Sequence, residues 1–217
     1  MTSITPLLPQ ARRRGRPPKN SDVPRQDIRA LLIRTGVAVL TEKGYSSVGI
    51  DEVLRAVQVP KGSFYYYFDS KEAFGQVLIT AYADYFARKL DRWFLDTAIS
   101  PVQRLRNFIQ DATEGMARHD FRRGCLVGNL GQEMGTLPES FRPKLEQVFL
   151  DWQARTATCL AEAQRAKEIA AHHDCARLAQ FFWIGWEGAV LRAKLDRSPT
   201  PLDVYAEGFF EMLRAKR

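Results

Sequence analysis

Residues 50–68, IDEVLRAVQVPKGSFYYYF, set two short apolar faces on either side of a proline, and this leaves little choice of local fold. Ile50, Val53, Leu54 and Val57 follow a helical period, and Gly49 precedes them where an N-cap belongs. Gln58 and Val59 make a tight turn. Pro60 opens a further short helix, because its fixed φ suits the first helical position and its missing N–H is not needed there. Upstream, Ile28, Leu31, Leu32, Thr35 and Val39 repeat with the same period, and Gly44 closes that helix where a left-handed cap is expected. Three helices in roughly 45 residues, the last two joined by a two- or three-residue turn, make a helix-turn-helix.

The aromatic run after Pro60 is then divided between core and solvent. Phe64 and Phe68 lie four apart and are expected to join Val53 and Leu31 in a small core. Lys61, Ser63, Tyr65 and Tyr66 turn outward, with Tyr67 at the boundary, since so short a helix cannot bury three consecutive tyrosines. Lysine and hydroxyl groups suit phosphates, and the rings can press on thymine methyls or sugars. Lys71 begins the next helix, capped by Asp69 or Ser70, and the free N–H groups there also suit a phosphate. The expected partner is double-stranded DNA.

Gly44 to Phe74, GYSSVGIDEVLRAVQVPKGSFYYYFDSKEAF, resembles the DNA-binding domain of the tetracycline-repressor (TetR) family of bacterial regulators. The run KGSFYYYF followed by SKEAF is specific to that family at this spacing. The resemblance implies that Lys61, Gly62, Ser63, Tyr65, Tyr66, Tyr67 and Lys71 face an operator. Many relatives carry Thr or Ser where this chain has Val48 and Gly49, so backbone N–H groups at Gly49 and Ile50 are expected to replace that side-chain phosphate contact.

Charge is unevenly placed. Of the net +7, residues 1–25 hold six basic residues against the single acid Asp22, whereas residues 26–72 hold six of each sign. The segment RRRGRPPK at Arg12 to Lys19 resembles an AT-hook, in which Arg14 and Arg16 lie in a narrow A·T minor groove while prolines keep the chain extended. Phosphate neutralisation supplies most non-specific affinity, so this arm is expected to provide the attraction while the tyrosine helix reads the site.

After Glu72 the periodicity is helical throughout, which predicts an all-α chain: a flexible basic arm at 1–25, a helix-turn-helix domain at 26–72, and a helical ligand-binding and dimerisation domain at 73–217. The glycines of GCLVGNLGQEMG are no GxGxxG and follow no strand; close helix packing is their expected role. Phe86, Trp93, Phe108, Cys125, Trp152, Phe182 and Trp186 are candidates to line an effector cavity. Residues 174–195 are apolar around most of the helix, which asks for a second copy of the chain. Trp183, Gly185, Gly188 and Leu191, with Phe209 of the final helix, are the candidate homodimer contacts.

Within the TetR family, RGCLVGNLGQE and WEGAVLRAKLDRSPTPL resemble a subgroup holding an electrophile-sensing repressor and an acrylate-responsive one. This implies a cytoplasmic repressor released by a small unsaturated acid. The alternative is a sensor in which Cys125, its thiol acidified by Arg122 and Arg123, reacts with electrophiles. Remoter readings are an architectural A·T binder and an enzyme built on Cys125 and His119. The three cysteines form no CxxC pair, in keeping with a reducing compartment, and no stretch reaches the ~18 apolar residues of a membrane span. No cofactor, metal or membrane partner is expected.

Overall fold

The computed structural model describes residues 25–214, so Arg14 and Arg16 lie outside the described residues. Every regular element among the described residues is helical. An amino-terminal unit comprises α1 (Arg25–Lys43), α2 (Ile50–Ala56) and a 3-10 helix (Lys61–Tyr66). There follow α3 (Lys71–Phe94), α4 (Pro101–Ala117), α5 (Leu126–Gln132), α6 (Arg142–Arg165), α7 (Cys175–Asp196) and α8 (Thr200–Leu213).

Local chemistry explains the boundaries. Gly44 ends α1 at φ +81°, a conformation that an L side chain rarely adopts. The Ser70 hydroxyl accepts from the Ala73 N–H and starts α3, while the Asp174 carboxylate accepts from the Ala176 and Arg177 N–H groups and starts α7. Pro101 stands in the first turn of α4.

Two expectations need correction in the small amino-terminal core. Phe64, Phe68 and Val53 are buried as expected, but Leu31 is exposed, and Leu32, one residue and about 100° further around α1, takes its place. Pro60 caps the short helix from outside, and the Ser63 and Tyr67 N–H groups bond to the Pro60 and Phe64 carbonyls three residues back. That tighter winding makes the segment a 3-10 helix.

The larger unit packs α6 against α7, with α3 and α4 on one side and α8 against α7. Its centre is aromatic. The Trp152 ring lies 4.4 Å from Phe86 and 4.8 Å from Trp183, and the Trp183 indole N–H donates to the buried Thr156 hydroxyl at 2.9 Å.

Candidate functional site

Two features of the described residues are built to meet something. The first is the outward face of the 3-10 helix. Tyr65 is 66% exposed and Tyr66 58%, while Phe64 and Phe68 are sunk in the core beneath them. Tyr67 is half-buried and packs edge-on against Tyr66. Gly49 and Gly62 are exposed with open space where a side chain would project, so backbone N–H groups there can approach a phosphate closely. Ser63 is half-buried. Lys61 reaches back to Asp51 at 2.7 Å, both groups exposed, and this solvated pair is free to exchange for a phosphate. Lys71 behaves differently. Its ammonium donates to the Tyr45 carbonyl and lies 4.4 Å from the centre of the Tyr45 ring, and burial lowers its pKa; it secures the start of α3.

The second feature is a cavity of about 300 Å3 between the two units. Its walls come from Arg34, Ala38 and Thr41 of α1, Tyr82, Phe86 and Lys89 of α3, the end of α4, Cys125 at the start of α5, and Trp186 and Glu187 of α7. The mouth is cationic, with Arg34, Arg118 and Arg123 among its lining residues, and the exposed His119 lies there too. Lys89 lies 3.2 Å from Asp111, which partly offsets the burial that lowers its pKa.

Tyr82, Cys125 and Glu187 come together along one wall, close enough that each perturbs its neighbour's proton affinity. Cys125 is also the N-cap of α5, accepting from the Gly128 N–H at 3.4 Å. Burial and Glu187 push the Cys125 thiol well above its ordinary range. Arg122 is exposed, and Arg123 turns to Glu42 at 3.8 Å; neither acidifies the thiol as the sequence suggested. Burial raises the Glu187 carboxyl to about 7.

Only Phe86, Cys125 and Trp186 of the seven candidate lining residues reach this cavity. Phe108, Trp152 and Phe182 are fully buried in the aromatic core, and the half-buried Trp93 donates its indole N–H to Asp111 at 2.9 Å. Helical spacing marks them as inward-facing without showing that they fill the interior.

The pattern of "Bacterial regulatory proteins, tetR family" matches residues 32–75, and that of "Tetracyclin repressor-like, C-terminal domain" matches residues 101–209. Transcriptional regulator AcuR of Cereibacter sphaeroides is 56% identical over 96% of this chain and 94% of its own length. The chain belongs to the TetR family. The HTH-type transcriptional repressor NemR of Escherichia coli K12 is 28% identical over 82% of this chain and 89% of its own. The crystal structure of a regulatory protein TetR from Rhodobacter sphaeroides, 59% identical, superposes with a TM-score of 0.83 over 84% of this chain and 96% of that one. Members of the TetR family are DNA-binding regulators of transcription, not enzymes, and so is this chain. No helix among the described residues is long and apolar enough to cross a membrane.

In this TetR-family chain a latch joins cavity and reading head, and nothing in the sequence motif reveals it. The Asn129 amide donates to the Leu40 and Thr41 carbonyls at 3.1 and 3.0 Å, and the Lys194 ammonium donates to Thr41 and Glu42 carbonyls at 3.3 and 3.4 Å. Thr41 and Glu42 carry the last carbonyls of α1, which a helix end leaves without intrahelical partners, while the Leu40 carbonyl also accepts from the Gly44 N–H at 3.0 Å. The Glu133 carboxylate accepts from the Tyr45 and Ser46 N–H groups at 3.0 and 2.7 Å. Asn129 and Glu133 are four residues apart on one face, the only sequence signal available. Glu133→Ala is expected to reduce stability by about 1–3 kcal/mol, measured by denaturant unfolding, because two N–H groups lose a charged acceptor.

The interface candidates also need correction. Trp183 and Phe209 are buried within their own chain. Gly185 faces the Tyr205 ring of α8, so its lack of a side chain serves helix packing inside the protomer. Gly188 and Leu191 are exposed. They belong to a row, Phe181, Ile184, Gly188, Leu191 and Leu195, spaced alternately three and four residues apart and all exposed. Of the glycines after Phe121, Gly124 and Gly128 lie against Lys194 and Glu187, whereas Gly131 and Gly135 face open space and support no close packing.

Proposed function

We propose that this TetR-family regulator is a repressor that grips a palindromic operator as a homodimer and is released when a small carboxylate such as acrylate fills the cavity between its two units. Residues 26–72 read DNA and residues 73–217 sense the effector and dimerise. One observation carries the reading: the cavity has α1 for one wall and a cationic mouth, so an anion held there bears directly on the DNA-binding unit. A volume of about 300 Å3 suits a small organic acid. The likeness to the regulator AcuR supports the same class of control. The 3–4 spaced apolar row on α7 fits a coiled-coil-like seam with a second copy, placing two reading heads on one face of DNA. Such a regulator works in the bacterial cytoplasm and needs no cofactor.

The raised thiol pKa favours reversible, non-covalent binding over reaction at Cys125, since the thiolate is the nucleophile. Acrylate is expected to release the operator complex in a gel-shift or anisotropy titration, and neutral acrylamide, an electrophile of similar size, is not. Cys125→Ser is expected to respond to acrylate like the parent. Release by acrylamide, abolished in Cys125→Ser, would instead establish the electrophile sensor.

A further inference from the structure

We propose that Glu187 enters the effector complex as the carboxylic acid and donates a hydrogen bond to the effector's carboxylate, so that binding of a small organic acid takes up one proton. This rests on the cavity being the effector site. The helix α7 holds Glu187 on the cavity wall between Trp186 and Val190, with its carboxyl over Gly128, where no side chain stands in the way. The Cys125 thiol and the Tyr82 hydroxyl share that wall with it.

No cation neutralises it. On α3 it faces Tyr82 and Lys89, and Lys89 is held by Asp111 at 3.2 Å. From α1 comes Arg34, from the end of α4 Arg118 and His119, and from the loop beyond it Arg123, all at the cavity mouth, with Arg123 turned to Glu42. Lys194, further along α7, is bonded to the α1 carbonyls and Asn129. On the α6 side the facing titratable group is Glu146, another acid.

An ionised Glu187 beside an ionised effector would place two negative charges in a desolvated wall. A single proton between them removes that repulsion and adds a hydrogen bond, as for any close carboxyl pair. The sign follows from the two protonation states. Below about pH 7 the empty cavity already holds Glu187 protonated, and effector affinity is flat. Above it the proton must come from solvent, and affinity falls about tenfold per pH unit until the pKa of the bound state is passed. The Lys89 and Lys194 ammonium groups, also lowered by burial, add a loss of anion affinity at higher pH, which the variant below isolates.

The test is isothermal calorimetry of acrylate with the full chain from pH 6 to 9, in pairs of buffers of different protonation enthalpy. The parent is expected to take up close to one proton at pH 8 and to lose affinity about tenfold per unit above pH 7. Glu187→Gln, a permanently neutral donor of the same shape, is expected to bind acrylate without proton uptake and with that slope removed. Its melting temperature checks the fold, and the proton count on the parent needs no variant. Acrylate binding by the parent with no proton uptake and a flat profile would overturn the role of Glu187, as would a Glu187→Gln variant that keeps the parent's full tenfold loss per pH unit just above pH 7, where the two lysines stay charged. A failed cavity reading looks different: Ala112→Phe, which fills the cavity from α4, leaves acrylate affinity unchanged, or acrylate does not bind at any pH, and the proposal falls with it.

Discussion

Replacing Tyr65 and Tyr66 by alanine is expected to weaken specific operator binding by about 1–3 kcal/mol for each ring, while the helix-turn-helix keeps its fold. The separation of effects follows from the geometry. Both rings are largely exposed, whereas Phe64, Phe68, Val53 and Leu32 beneath them form the small core, which loses only the edge contact of Tyr65 with Phe64. Fluorescence anisotropy on an operator duplex and on a scrambled duplex measures the difference. Affinity for the scrambled duplex is expected to change much less, since contacts of basic side chains and backbone N–H groups with phosphates supply attraction without reading sequence. An unchanged operator affinity in a folded double variant would remove the 3-10 helix from the reading role.

Two neighbouring residues on α7 are expected to fail in opposite ways. Trp183→Ala is expected to cost the protomer about 3–5 kcal/mol, because the ring is buried against Trp152 and Phe86 and its indole N–H satisfies Thr156. Ile184 is 73% exposed in a single chain. Ile184→Asp therefore leaves the protomer fold in place and puts a charge into the apolar row, where the expected result is dissociation to monomers and loss of palindrome binding. Denaturant unfolding and sedimentation equilibrium on the two variants distinguish the effects. A stable Ile184→Asp dimer that still binds the palindrome would place the interface elsewhere.

The sequence alone determined the fold class, most helix boundaries and the motif by which the chain is recognised, for a physical reason: each depends on contacts between residues near in the chain. Helical periods, the left-handed cap at Gly44, the Ser70 cap and the Pro60 turn are settled within a few residues, and so is the outward placement of Tyr65 and Tyr66. Rotation about a helix axis is decided by everything packed around it. That is why Leu32 replaced Leu31, why Trp183 and Phe209 turned into their own chain while Ile184 and Leu195 faced out, and why Trp152 and Phe108 filled a core instead of lining a cavity. The sequence analysis did not single out Glu187, because the groups it meets come from α3 and the start of α5, some 100 and 60 residues away in the chain. Only the tertiary structure put Tyr82, Cys125 and Glu187 on one wall, and only it closed the end of α1 with Asn129 and Lys194, because carbonyls freed at a helix end accept from whatever donor the fold brings near.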